Sequence, residues 1–99
     1  MPYLLSLAAS RDVEDILYRG LEQFGLEQAQ RYRDGLTDAF AFLSDFPRAA
    51  RLREEGKPPS RAHRFGSHLI LYETLDDGSI VIQRVRHVRE DWHSDVSRH

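Results

Sequence analysis

Residues 79–92, SIVIQRVRHVREDW, decide the reading of this chain. Ile80, Ile82, Val85 and Val88 supply apolar anchors, and Arg84, Arg86, His87, Arg89 and Asp91 crowd polar groups onto the same short element. Successive side chains of a strand point to opposite faces, so one face of this stretch is expected to pack and the other to meet a partner. Asp77-Gly78, just upstream, is a strong hairpin signal. It pairs the final strand, Ile80–Val88, with the run 67–73, SHLILYE. Gly66 separates that run from a further strand-like segment, Ala62–Phe65, as a turn or bulge.

Ahead of these strands, residues 47–60 (PRAARLREEGKPPS) are polar, rich in Pro and Arg and without a period, and read as a surface loop. Glu54 and Glu55, like Asp76 and Asp77, read as solvated loop and turn. Upstream again the period changes to three and four. Ala29, Tyr32, Leu36, Ala39, Phe40 and Leu43 form one helical stripe that starts near Glu27 and stops at Pro47. Val13, Ile16, Leu17, Gly20, Leu21 and Phe24 form another, with Ser10 as the expected N-cap, Asp12, Glu14 and Asp15 near the positive helix end, and Gly25 closing it. So short a connection predicts an antiparallel helical hairpin. Gly20 and Gly35, on or beside the stripes, suggest close backbone approach at the crossing, although each costs a helix up to ~1 kcal/mol relative to Ala. Tyr3–Ala8 is strand-like. The predicted order is β-α-α-β-β-β, an α+β fold with an antiparallel sheet and the helical hairpin on one face.

Ninety-nine residues make one domain, 1–99, with a modest core, no internal repeat and no low-complexity tract. There is no cysteine, hence no disulfide framework or thiolate metal site. No apolar run approaches membrane-spanning length and the N-terminus lacks the basic region of a signal peptide, so a cytoplasmic protein is expected. Net charge is −2 but unevenly placed, −4 over residues 1–46 and +2 over 47–99, and thirteen of the fourteen basic residues are Arg. A chain whose main partner was bulk nucleic acid would be clearly basic, so no direct nucleic-acid binding is expected.

These residues together resemble the ParE-type toxins of the RelE/ParE toxin–antitoxin superfamily over nearly the whole chain. The resemblance rests on Tyr3, Ser6, Ala9, Asp12 and Ile16, then on Phe24-Gly25, Ala29, Tyr32, Leu36, Leu43 and Pro47. It continues through Arg61, His68, Ile70 and Tyr72 to the closing Arg84-Val85-Arg86-His87 and Asp91. Arg86 departs from the pattern, which is usually apolar there. The resemblance implies a bacterial toxin of the plasmid-stabilisation and growth-arrest kind, paired with a ParD-like antitoxin (a ribbon-helix-helix DNA-binding protein) in a hetero-oligomer. The antitoxin's C-terminal segment would lie along the helical hairpin and sheet edge. Members with an assigned target poison DNA gyrase, whereas RelE-type relatives cleave messenger RNA on the ribosome.

For a gyrase poison, the target-binding residues are expected to be Arg84, Arg86, His87, Arg89, Asp91 and Trp92, with no catalytic residue and no cofactor. A plainer reading stands beside it, in which Asp91 pairs with Arg84 or Arg61, His87 bonds to backbone and Trp92 plugs the core. Leu21, Phe24, Leu36, Phe40 and Phe42 exceed what one narrow core stripe needs, and part of this surplus is expected to bind the antitoxin. The RNase alternative needs a base, an acid and cations to stabilise a charged phosphorane. Arg61, Arg64, Arg84 and His87 would supply them if they converged on one sheet face. The chain lacks the Lys-rich cluster and late tyrosine of those nucleases. A relic that only binds its antitoxin is a third possibility. The five histidines show no i, i+4 ligand spacing, so no metal site is expected. Tyr3 and Tyr72 read as sheet packing with a wet hydroxyl.

Overall fold

The computed structural model describes residues 3–54 and 59–89. The elements run β1 (Tyr3–Leu5), α1 (Leu7–Phe24), α2 (Leu26–Asp45), β2 (Leu52–Arg53), β3 (Ser60–Phe65), β4 (His68–Thr74) and β5 (Ile80–His87). The α+β class and the hairpin-on-sheet architecture are those expected. Five strands form one sheet in the order β1-β5-β4-β3-β2. Two details differ from expectation. β1 joins β5 in parallel, so the sheet is mixed, and β2 is an extra strand inside the segment read as a loop, antiparallel to β3.

The first helix begins a turn earlier than the sequence suggested. Its N-cap is Ser6, not Ser10, because the Ser6 hydroxyl has a second task. It accepts from the Ala9 amide at 2.9 Å and donates to the Gln83 carbonyl at 2.7 Å, while the Ser6 amide donates to the Ile82 carbonyl at 2.9 Å. One side chain therefore caps α1 and ties it to β5. The apolar stripe extends back accordingly to Ala9, which is fully buried. Gly25 joins the helices at φ +89°, left-handed backbone that favours glycine.

The core gathers Leu36, Phe40 and Leu43 from α2 with Ile70, Tyr72, Ile80, Ile82 and Val85 from the sheet. Burial of each large apolar side chain contributes about 1.5–3 kcal/mol. The two helical glycines have different reasons. A Cβ on Gly20 would lie 3.2 Å from that of Ala29, the tight helix crossing that was expected, whereas one on Gly35 would meet the Phe65 ring at 2.5 Å. Gly35 is thus a seat for the sheet and not for the other helix.

Tyr72 corrects another expectation. It is fully buried, and its hydroxyl donates to the Pro47 carbonyl at 2.8 Å and receives the Ala50 amide at 3.4 Å. Arg61 Nη1 donates to the Ala50 carbonyl at 2.7 Å. These contacts pin the turn after α2, so the hydroxyl is spent on backbone and not on water. In the β4–β5 turn, exposed Asp77 accepts both the Ser79 amide, at 2.9 Å, and the Ser79 hydroxyl, at 2.6 Å. Those bonds hold its carboxyl below the usual range.

Candidate functional site

β5 carries a bulge. Tyr72 pairs with Ile82 but Leu71 with Arg84, so Gln83 and Arg84 together occupy one place in the ladder. The extra residue shifts the phase of alternation, which is why Ile80, Ile82 and Val85 are all buried. At this bulge the Asp12 carboxylate, from α1, grips the strand. Oδ2 accepts Arg84 Nε at 2.8 Å and the Val85 amide at 2.9 Å, and Oδ1 accepts Arg84 Nη2 at 3.0 Å. A bidentate guanidinium–carboxylate pair with a backbone amide on the same oxygen is among the stronger polar contacts a protein makes. Asp12 was expected to serve the helix dipole, and its role as partner of Arg84 was missed.

After the bulge the strand stays in the ladder with β4. Arg86 pairs with Leu69, and His87 with His68 at the end of β4. His87 Nδ1 accepts the Arg89 amide at 3.1 Å, which places the proton of a neutral ring on Nε2. The backbone bond anticipated for His87 is therefore present. Asp91 and Trp92, also expected at the target-binding end, lie outside the described residues.

His87 belongs to a cluster that the sequence did not suggest. Its ring stands edge-on to His68 at 5.3 Å, and His68 Nδ1 meets the Tyr32 hydroxyl at 2.7 Å. That hydroxyl also lies 3.1 Å from the Phe65 carbonyl and receives the Ser67 amide at 3.0 Å. Burial pushes the Tyr32 phenol above its usual range, partly opposed by the Ser67 bond and by Arg64. Tyr32 therefore remains a neutral donor, and a chain of contacts runs from α2 to the end of β5. Tyr32, His68 and His87 line a groove of about 600 Å³ between the hairpin and the sheet end, with Asp15 and Arg19 on its α1 wall. Tyr32 and His68 both belong to the motifs that carry the resemblance, but 36 residues separate them and no local pattern joins them.

The four residues of the nuclease alternative do not converge on one face. Directly paired residues share a face, and Arg61 pairs with Tyr72 on the helix side while Arg64 pairs with Leu69 on the opposite side. Arg61 is tied to Ala50, Arg64 Nε donates to the Gly66 carbonyl at 3.0 Å, and Arg84 is held by Asp12 at the edge. His87 is on the helix side against His68. Among the described residues no three His, Asp or Glu side chains are grouped to hold a metal ion.

The residues expected to bind antitoxin divide sharply. Leu36 and Phe40 are core, at 0% and 2% exposure, and present no surface to a partner. Phe24 at 60% and Phe42 at 45% are exposed, and Leu21 is half-buried. No helix among the described residues is long and apolar enough to cross a membrane.

The model of the family described as "ParE toxin of type II toxin-antitoxin system, parDE" matches residues 3–92. The chain belongs to the ParE toxin family. It is 35% identical over 89 residues to the "Toxin ParE1" proteins of two Mycobacterium tuberculosis strains, CDC 1551 / Oshkosh and H37Rv, covering 90% of this chain and 91% of each relative. The fold is also similar, at a TM-score of 0.75, to a chain of a solved structure described as the chromosomal ParDE TA system from P. aeruginosa. That likeness covers 90% of this chain and 97% of the other at 16% identity. Within a ParE toxin fold, the residues of the closing motif fall on and beyond the β5 bulge, and Asp12 of the N-terminal motif is what holds that bulge in place.

Proposed function

We propose that this ParE-family toxin acts by binding DNA gyrase and trapping it in a damaging state, and that a ParD-like antitoxin neutralises it in a cytoplasmic hetero-oligomer. The target contact is the end of β5 together with the residues just beyond it: Arg84, Arg86, His87, Arg89, Asp91 and Trp92. The observation that carries the reading is the fate of the nuclease set. Arg61 is tied to the Ala50 carbonyl, and Arg61 and Arg64 point to opposite faces of the sheet. Stabilising a phosphorane needs cations converging on one point, so this arrangement supports a binding toxin over a nuclease. The strand that ends in Arg86 and His87 is braced from α1 by Asp12 and from α2 through Tyr32 and His68. Such bracing suits a rigid contact surface.

The test is induced expression without antitoxin, with two assays run on the induced cells. One measures gyrase supercoiling and trapped DNA cleavage, and the other measures message integrity in a translation extract. Trapped cleavage with intact messages is the expected result. Cut messages with normal supercoiling would overturn the proposal.

A further inference from the structure

The turn between β3 and β4 is built around one phenol. The Tyr32 hydroxyl receives the Ser67 amide at 3.0 Å, with the Phe65 carbonyl 3.1 Å away and His68 Nδ1 2.7 Å away. A hydroxyl has one proton to give and two lone pairs to offer, so these three partners account for it. Gly66, at φ +55°, leaves it room, because a Cβ there would stand 2.6 Å from the Tyr32 oxygen. The Tyr32 ring itself lies against Phe65, 5.2 Å between centroids.

The hydroxyl is not what keeps α2 on the sheet. Leu36, Phe40 and Leu43 do that from the core, and a phenylalanine at position 32 would keep the contact with the Phe65 ring. What the oxygen adds is a grip on residues 65–68, and these in turn hold the end of β5. The Ser67 carbonyl accepts the Val88 amide at 2.9 Å, one residue past the last strand pair, His68 with His87. The next amide, that of Arg89, is taken by His87 Nδ1. Strand ends open at little cost unless they are tied, and this tie runs from Tyr32 through Ser67 to Val88.

We propose that Tyr32 is a positioning residue of the toxin: through Ser67 its hydroxyl sets the course of Val88 and Arg89, and with it the presentation of the gyrase contact. The proposal rests on the gyrase reading above and adds to it a determinant on α2, outside the contact set.

The test is Tyr32→Phe, with Tyr72→Phe as a matched control, since that hydroxyl also bonds to two backbone groups but in the turn after α2. Trapped cleavage by purified gyrase is titrated with each purified toxin, affinity is measured for the ParD-like antitoxin, and amide exchange is followed residue by residue. In Tyr32→Phe the toxin concentration for half-maximal trapping is expected to rise about tenfold with the maximum unchanged, and Val88 to exchange about tenfold faster, while antitoxin affinity stays within about twofold. Tyr72→Phe is expected to lower the melting temperature similarly, yet to leave half-maximal trapping and Val88 exchange as in the parent. Val88→Pro deletes the amide and leaves Tyr32 in place. It is expected to reproduce the rise, and it decides the matter should Tyr32→Phe not fold. Unchanged half-maximal trapping, a rise shared by Tyr72→Phe, or an equal fall in antitoxin affinity would overturn the proposal. If the parent traps no gyrase, the gyrase reading fails, and Val88 exchange and growth arrest then decide. Faster exchange with weaker arrest in Tyr32→Phe would sustain the positioning role, and either one unchanged would overturn it.

Discussion

Asp12 and Arg84 stand 72 residues apart in sequence and are joined by two hydrogen bonds, at 2.8 and 3.0 Å, and the same carboxylate receives the Val85 amide. This is where the first helix and the last described strand are locked together. Arg84 is therefore part of the framework as well as of the proposed contact surface. In Asp12→Asn one side-chain oxygen remains to accept the Val85 amide, but the charge that holds Arg84 is gone. Urea unfolding is expected to show a loss of about 1–3 kcal/mol, and growth arrest on induction should weaken in parallel. A variant as stable as the parent would show that the pair is ornamental.

The exposed and buried aromatics should behave oppositely. Phe40→Ala removes a ring from the core and is expected to cost about 3–5 kcal/mol. Phe24→Ser, at an exposed helix end, is expected to change stability by no more than about 0.5 kcal/mol. Thermal or urea unfolding of the two variants decides this. Equal losses would mean that the end of α1 is covered by something the described residues do not include.

One buried and one half-buried phenol set an alkaline limit. Burial raises both Tyr72 and Tyr32 above the ordinary phenol range, against smaller opposing effects of backbone bonds and a nearby Arg. A phenol whose proton is held more tightly in the folded state gives stability that is fully present below the unfolded value of about 10 and is lost as pH rises through the raised folded value. Stability measured by urea unfolding should therefore fall as pH climbs past about 10. In Tyr72→Phe the fall should be shallower, and ultraviolet titration should lose one late-ionising tyrosine. The same variant should be less stable at neutral pH, because the Pro47 carbonyl loses its donor.

Gly35 and Phe65 make a reciprocal test. Gly35→Ala alone gains up to ~1 kcal/mol of helix propensity but drives a methyl into the Phe65 ring, which overpacking makes destabilising by about 1–3 kcal/mol. In a Phe65→Ala background the same Gly35→Ala change should become neutral or stabilising. A double-mutant cycle measures the coupling directly, and additive effects would mean that the ring simply moves aside.

How much of this was legible in the sequence depends on how far each cause reaches along the chain. The helical hairpin was plain because its stripes repeat within a few residues, and the β4–β5 hairpin because Asp77-Gly78 names its own turn. Phe42 was recognisably off the stripe. Leu36 and Phe40 lie on it and are buried in the core, and a surplus of large apolar side chains does not say which side of a helix is covered. The choice between Ser6 and Ser10 as N-cap was not local at all. Both are good capping residues, and the decision is made by a carbonyl 77 positions away. The bulge did leave a trace, in the step from Ile82 to Val85 where strict alternation would give residue 84. The Tyr32–His68–His87 cluster left none, since it assembles across α2, β4 and β5.

β5, the last described strand to be made, lies inside the sheet between β1 and β4. It takes hydrogen bonds from Ser6 on one flank and pairs along its length on the other. A ribosome making this chain from its N-terminus therefore releases the helical hairpin and then the β3–β4 pair before the strand that joins β1 to them. Contacts of such long sequence separation form late and slowly. A nascent toxin cannot display the proposed contact surface until β5 has been made. Translation itself thus provides a delay, during which antitoxin already present can be waiting when the toxin first becomes able to act.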